Sequence, residues 1–276
     1  MAVGEERARI FAANRAVGRV ALTAEAGRGI TRRARVHEAG SLRVRFPGAR
    51  ARELQAVLIN TAGGIAGGDR FDLDIAAGAQ ARLAVTSAAA EKVYRSLGPD
   101  ARIRVRLAAG AGASLAWLPQ ETILFDGARL DRTIDIDLAA DARLMFAEAL
   151  VLGRTGMGEA VAHGFIADRW RVRRGGALVH AETVRLDGAI AARLGEAATA
   201  NGAAALATVL IVPGSAETTE TLRALGSQFR GEVGSSAWNG IAVVRLCAAD
   251  GAALRYDLTT LLAALRGGKL PHCWFH

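Results

Sequence analysis

Lysine is nearly missing from this chain: Lys92 and Lys269 are the only two, and arginine supplies the rest of the 35 basic residues. Two cysteines, Cys247 and Cys273, are too few for a disulfide framework. Proline occurs five times in 276 residues, against 32 glycines, so turns must be made by glycine. Aromatics are 5%, which leaves an aliphatic and alanine-rich core. The longest apolar run, residues 203–212, is too short to span a bilayer and stops at Pro213. The first ten residues, MAVGEERARI, lack the apolar core of a signal peptide. A soluble, intracellular chain is expected, with no membrane partner. The five histidines are scattered, and no G-x-S-x-G elbow is present, so nothing points to a hydrolytic triad.

What is present is 51% hydrophobic residues, a formal net charge of +8 and a pI near 10.7. The length allows a sizeable core, and the hydrophobic content argues against disorder. Arginine alternates with apolar residues, as in Ala101-Arg-Ile-Arg-Val-Arg-Leu107. That spacing reads as the solvated face of a sheet, or as a surface for an acidic protein partner. No aromatic residues interleave with the charge, so no nucleic-acid partner is expected.

The most informative stretch is V-L-I-N-T-A-G-G-I-A-G-G-D-R-F-D-L-D-I from Val57, continued by V-T-S-A-A-A-E-K-V-Y-R-S to Ser96. Its glycines suggest a phosphate loop, but Gly67-Gly68 is followed by Asp69-Arg70 rather than Lys-Ser/Thr. After it, Phe71, Leu73 and Ile75 alternate with polar residues, a period of two. The glycines therefore join strand to strand, with Gly63, Gly64, Gly67 and Gly68 at positive-φ or closely packed positions.

Short strands with Gly or Asp at the turns are expected over residues 43–45, 54–60, 71–76, 81–86, 102–107, 114–118, 122–126, 134–138, 143–149, 165–172 and 177–186, preceded by a first strand near 18–24. Ile75-A-A-G-A-Q-A-R-L, Leu107-A-A-G-A-G-A-S-L and Leu138-A-A-D-A-R-L recur at a period of about 31 residues, the mark of units that bury their faces on one another. The expected fold is mainly β, with stacked or helically arranged antiparallel or mixed sheets. A change of texture near residue 188 introduces two helices, one capped by Ser215 and one starting at Asp250 or at Tyr256-Asp257. We read one domain over 1–276, comprising a basic lead-in (1–30), a β-rich core (31–187) and an α+β C-terminal portion (188–276).

Chemistry-bearing residues concentrate in three segments. Asp69, Arg70, Lys92, Tyr94 and Arg95 lie in the first. Glu121 and Asp126 lie in W-L-P-Q-E-T-I-L-F-D-G-A (Trp117–Ala128), and Glu148, Arg154 and Glu159 in F-A-E-A-L-V-L-G-R-T-G-M-G-E (Phe146–Glu159). Carboxylates in apolar strands are costly unless paired, and Arg70, Lys92, Arg95 and Arg154 are the expected partners. Two readings follow: ion pairs that pin strand register, or a polar passage whose oxygen ligands hold a divalent cation briefly. A third is an enzyme of unknown class using Asp69, Arg70, Lys92 and Tyr94. His272, Cys273 and His276 form the one local cluster of metal-ligating type, but His272 and His276 would be about 13 Å apart in an extended tail, and a frayed terminus explains them as well. No firm metal site is expected. Trp117, Trp170, Trp238 and Trp274 read either as core or as interface anchors.

These three segments, in this order and spacing, resemble the urease accessory protein UreD family (also called UreH). The likeness is specific from Val57 to Glu159 and fades beyond. Near the C-terminus the family tends to carry Pro-Arg-x-Trp where this chain has Pro271-His272-Cys273-Trp274. The resemblance implies a cytoplasmic, non-enzymatic scaffold or chaperone. It would work with UreF and the GTPase UreG on the urease apoprotein, handling nickel transiently and holding no cofactor firmly.

Overall fold

A computed structural model describes residues 14–48 and 52–275 of the chain. The first thirteen residues of the expected lead-in, and His276, lie outside the described residues.

Alternation of apolar and polar residues builds two sheets. The first runs β14-β13-β11-β8-β5-β1-β2, with β1 (Val17–Gly27), β2 (Ile30–Gly40), β5 (Arg70–Ala77), β8 (Ala101–Ala109), β11 (Arg129–Leu138), β13 (His163–Arg174) and β14 (Ala177–Ala189). The second runs β16-β17-β15-β12-β9-β6-β4-β3, with β3 (Leu42–Arg45), β4 (Leu54–Asn60), β6 (Arg82–Ser87), β9 (Ser114–Trp117), β12 (Arg143–Leu152), β15 (Ala205–Val212), β16 (Glu232–Trp238) and β17 (Ile241–Ala248). Two short strands, β7 (Glu91–Val93) and β10 (Thr122–Leu124), extend the second sheet through β12.

The middle of the chain is a coil. It passes from β4 to β5, β6, β8, β9, β11, β12 and β13, changing sheet at each step, and neighbours within each sheet are parallel. All crossings from the second sheet to the first therefore lie at one end, and all returns at the other. The Ala-Ala-Gly repeats are the returns. Ala81, Ala113 and Ala142 stack there at 0% exposure, tied by Ser114 N–H to Ala81 O and Arg143 N–H to Ala113 O, both 2.8 Å. Small side chains permit this close stacking of turns. The third repeat is two residues shorter, so Leu138 sits beside Ala109 and Ile136 takes the place beside Leu107. Lead-in residues Val20, Leu22 and Ala24, on β1, are core. The register period of two makes Ile75, Leu107 and Ile136 one buried row between the sheets.

The outer face of the first sheet carries the alternating charges. Acidic β5 and β11 flank basic β8: Arg104 pairs with Asp72 at 3.5 Å, Arg106 pairs with Asp74, and Arg169 of β13 pairs with Asp131 at 2.5 Å. The arginine-rich strand is thus a solvated face whose charge is balanced across the ladder.

Helices follow residue 189. The short α1 (Ile190–Gly195) is not foreshadowed by the sequence pattern; α2 (Ala216–Ala224) begins at the expected cap Ser215, and α3 (Gly251–Arg266) at Asp250, the first of its two expected starts, with Tyr256-Asp257 inside the helix. The outer face of the second sheet presents Ala84, Ala116, Ala147, Ala149 and Ala207, whose size lets Leu254, Leu258, Leu261 and Leu262 of α3 pack closely. Strand β12 is consequently buried on both faces. The chain is held in place as far as Trp274, which is 3% exposed and donates its Nε1–H to Leu118 O at 3.1 Å.

Candidate functional site

The three chemistry-bearing segments are the crossings at one end of the coil. Residues 61–69 join β4 to β5, residues 88–100 join β6 to β8, residues 118–128 join β9 to β11, and residues 153–162 join β12 to β13. A buried row of Ile65, Val93, Leu124 and Leu152 holds them in stack, each beside the next.

The glycines make this stacking possible. Gly63, Gly64 and Gly68 have φ of +77°, +144° and +89°. A Cβ on Gly64 would lie 2.4 Å from the Tyr94 ring, and one on Gly67 1.9 Å from Ser96 Oγ. The Tyr94 hydroxyl donates to Gly63 O at 2.8 Å, and its ring meets Phe125 edge-on at 5.1 Å.

Asp69 is 3% exposed and accepts from Ala16 N–H at 2.8 Å and Ala66 N–H at 2.7 Å. Its role is to fasten the glycine segment to the start of β1, and these partners are main-chain donors rather than the expected arginine. Arg70 points to the outer face, in a concavity with Arg102, Asp131 and Arg169. Arg95 packs over Gly127. Asp126 accepts from His163 N–H at 3.0 Å. Arg154 lies 4.2 Å above the Phe125 ring and binds Glu159 at 2.6 Å, which holds the Glu159 carboxyl below the usual range. Asp69, Arg70, Lys92 and Tyr94 each have their own surroundings and do not form one polar cluster.

The partner of Glu121 is also a correction. Arg255 of α3 reaches both its oxygens at 2.9 and 3.1 Å, binds Gln120 Oε1 at 2.6 Å, and donates to the carbonyls of Cys273 and Trp274 at 3.3 and 3.1 Å. His272 and Cys273 thus belong to a docked terminal turn. Among the described residues no three His, Cys, Asp or Glu side chains gather as metal ligands.

Between the sheets, below the crossings, lies a cavity of about 310 Å³. Its outer lining includes Asn60, Gly63, Gly64, Glu91 and Lys92; its inner lining includes Trp117, Arg132 and Glu148. Asn60 Nδ2 donates to both oxygens of Glu91 at 3.2 Å. Burial pushes the Glu91 carboxyl up to about 7 against the pull of the Asn60 hydrogen bond. At the inner end Glu148 accepts from Trp117 Nε1–H at 2.8 Å and pairs with Arg132 at 2.6 Å. Arg132 also forks to Asp168, Nε at 3.0 Å and Nη2 at 2.5 Å. Burial raises the Glu148 carboxyl despite the neighbouring guanidinium, while the two carboxylates keep Arg132 firmly charged against its own burial. One cation and two carboxylates, all below 6% exposure, leave an excess of one acid. Gln120, also in the lining, has a buried Nε2 without a hydrogen-bond partner, a donor that calls for an acceptor inside the cavity.

The cavity therefore holds Lys92 and Glu148 of the sequence candidates, and Gly63 and Gly64 of the glycines; Asp69, Arg70, Tyr94 and Glu121 are not part of its lining. Sequence reasoning missed Glu91, Arg132 and Asp168. The last two were detectable: Leu130, Arg132, Ile134, Ile136 and Ile166, Asp168, Trp170, Val172 are alternate positions of two strands, each interrupted once by a charge. Of the four tryptophans, Trp117, Trp170 and Trp274 are core and Trp238 is 42% exposed.

The family profile described as "UreD urease accessory protein" matches residues 16–274. Across 267 residues the chain is 59% identical to the urease accessory protein UreD of Rhodopseudomonas palustris strain BisB18, covering 97% of this chain and 96% of that one. Identity is 55% over 267 residues, 97% and 96% of the two chains, to urease accessory protein UreD 3 of a Bradyrhizobium species.

Proposed function

From the premise that this chain belongs to the UreD urease accessory protein family, we propose that it is a non-enzymatic scaffold of urease maturation. It acts in the cytoplasm with UreF and the GTPase UreG to deliver nickel to the urease apoprotein. Near-complete coverage by curated relatives of that name is the observation that carries this reading. The glycine segment is a strand-to-strand turn with no Walker lysine, which leaves nucleotide hydrolysis to a partner.

Nickel is cargo here, not a resident cofactor. The cavity between the sheets is the part of this chain suited to it. Oxygen ligands hold nickel weakly enough to release it, and Glu91 and Glu148 stand at the outer and inner ends. Arg132 prevents the inner carboxylates from forming a closed cage, because it occupies oxygens of both. The test is co-expression with tagged UreF, UreG and urease apoprotein, followed by metal analysis. The expected result is co-purification of all partners and nickel-loaded urease only when this chain is present. Full nickel loading without it would reject the proposal.

A further inference from the structure

We propose that the opposite end of the coil carries an oxyanion site of phosphate class, formed by Arg28, Arg52 and Arg82. The three line a concavity of about 620 Å³ together with Gln80 and the turn at Gly29. No Asp or Glu is in that lining, and among the described residues none of the three guanidinium groups has a carboxylate within ion-pair distance. This sets them apart from Arg104, Arg106 and Arg169, each matched by an aspartate on the next strand.

The site is held in place. Buried Thr31 donates its hydroxyl to Arg52 O at 2.9 Å and accepts from Arg82 N–H at 2.9 Å, so one side chain fixes two of the arginine-bearing segments to β2. The third arginine sits where its type is unsuited. Gly27 pairs with Ile30, so Arg28-Gly29 is a two-residue hairpin turn, with φ of +52° and +77°. Such turns favour Asn-Gly, and a long side chain in the left-handed region is strained. Gln80 is also left-handed, at φ +59°, the value its return turn takes again at Gly112, +62°. The turns thus set the backbone at both residues, and what marks the concavity is three arginines without a carboxylate between them. Planar guanidinium forks match the several oxygens of a phosphate, and the lining holds no aromatic ring to stack on a base. The ligand's recognised part is therefore its phosphate groups.

Calorimetric titration of the full-length chain with inorganic pyrophosphate, at fixed ionic strength, tests this. Saturable one-site binding is expected, weakened at least tenfold in Arg82→Gln and Arg28→Asn and unchanged in Arg223→Gln, an exposed arginine on α2. Arg28→Asn is the decisive variant, because asparagine suits the turn: its melting temperature should stay level or rise while affinity falls. Absence of saturable binding, an equal loss in Arg223→Gln, unaltered affinity in Arg28→Asn, or equally tight binding of citrate would each overturn the assignment.

Discussion

At the mouth of the cavity, the Glu91 carboxylate is largely buried and meets an asparagine amide and a main-chain N–H. Its ordinary value of 4.5 rises to about 7 in the folded chain. Below pH 4.5 the group is protonated folded or unfolded, and it makes no difference to stability. Between 4.5 and 7 the folded chain keeps a proton that the unfolded chain has lost, so stability falls as pH rises. Above 7 a charged group stays in a poorly solvated place. Glu91→Gln should therefore be neutral in stability at pH 4 and stabilising by roughly 2–3 kcal/mol at pH 8 in metal-free buffer. Denaturant melts at the two pH values check this; an equal effect at both would contradict it. Asp69 acts differently. It satisfies two main-chain N–H groups, so Asp69→Ala should cost about 2–4 kcal/mol, while Asp69→Asn, which keeps one acceptor, should recover about half. Chemical denaturation distinguishes this from a charge pair, in which asparagine would recover little.

At the level of elements, the crossings and the terminal turn depend on close approach. Gly64→Val would place branched carbons against the Tyr94 ring at φ +144°, a backbone region closed to valine. The expected outcome is loss of soluble chain and of partner binding together, read by solubility and pull-down. Trp274→Ala should lower stability by about 3–4 kcal/mol and loosen the Gln120–Glu121 segment, because both Trp274 and Arg255 tie that segment to α3. Hydrogen exchange at residues 118–122 reads the loosening. Strand periods and helix caps made most elements legible in the sequence: Ser215, Asp250 and the Ala-Ala-Gly turns all stand where the pattern puts them. Strand β2 was not legible, since its residues are nearly all exposed and show no alternation; β16 alternates in exposure, but glycine and serine fill its middle and leave no apolar period to read. The docked terminus was hidden because Arg255 and Glu121 are 134 residues apart.

At the scale of the molecule, parallel coiling explains why motifs distant in sequence meet. The first passes twice through the same end and the other two once each, and the cavity lies beneath them. The order of motifs was readable from the sequence. Their meeting at one end was not, because the sheet each strand joins is set by long-range pairing. The pairing of carboxylates misled for that reason: Glu148 meets Arg132 across the sheets, although Arg154 is nearer in the chain. The central claim is that the chain supports nickel delivery and that the carboxylates of its cavity serve the cargo. The most direct measurement is the nickel content of urease matured with wild-type chain or with the double variant Glu91→Gln/Glu148→Gln, once folding and co-purification with UreF are shown to be intact. The account predicts a several-fold fall in nickel per urease active site. Wild-type loading by the folded, partner-bound double variant would contradict it.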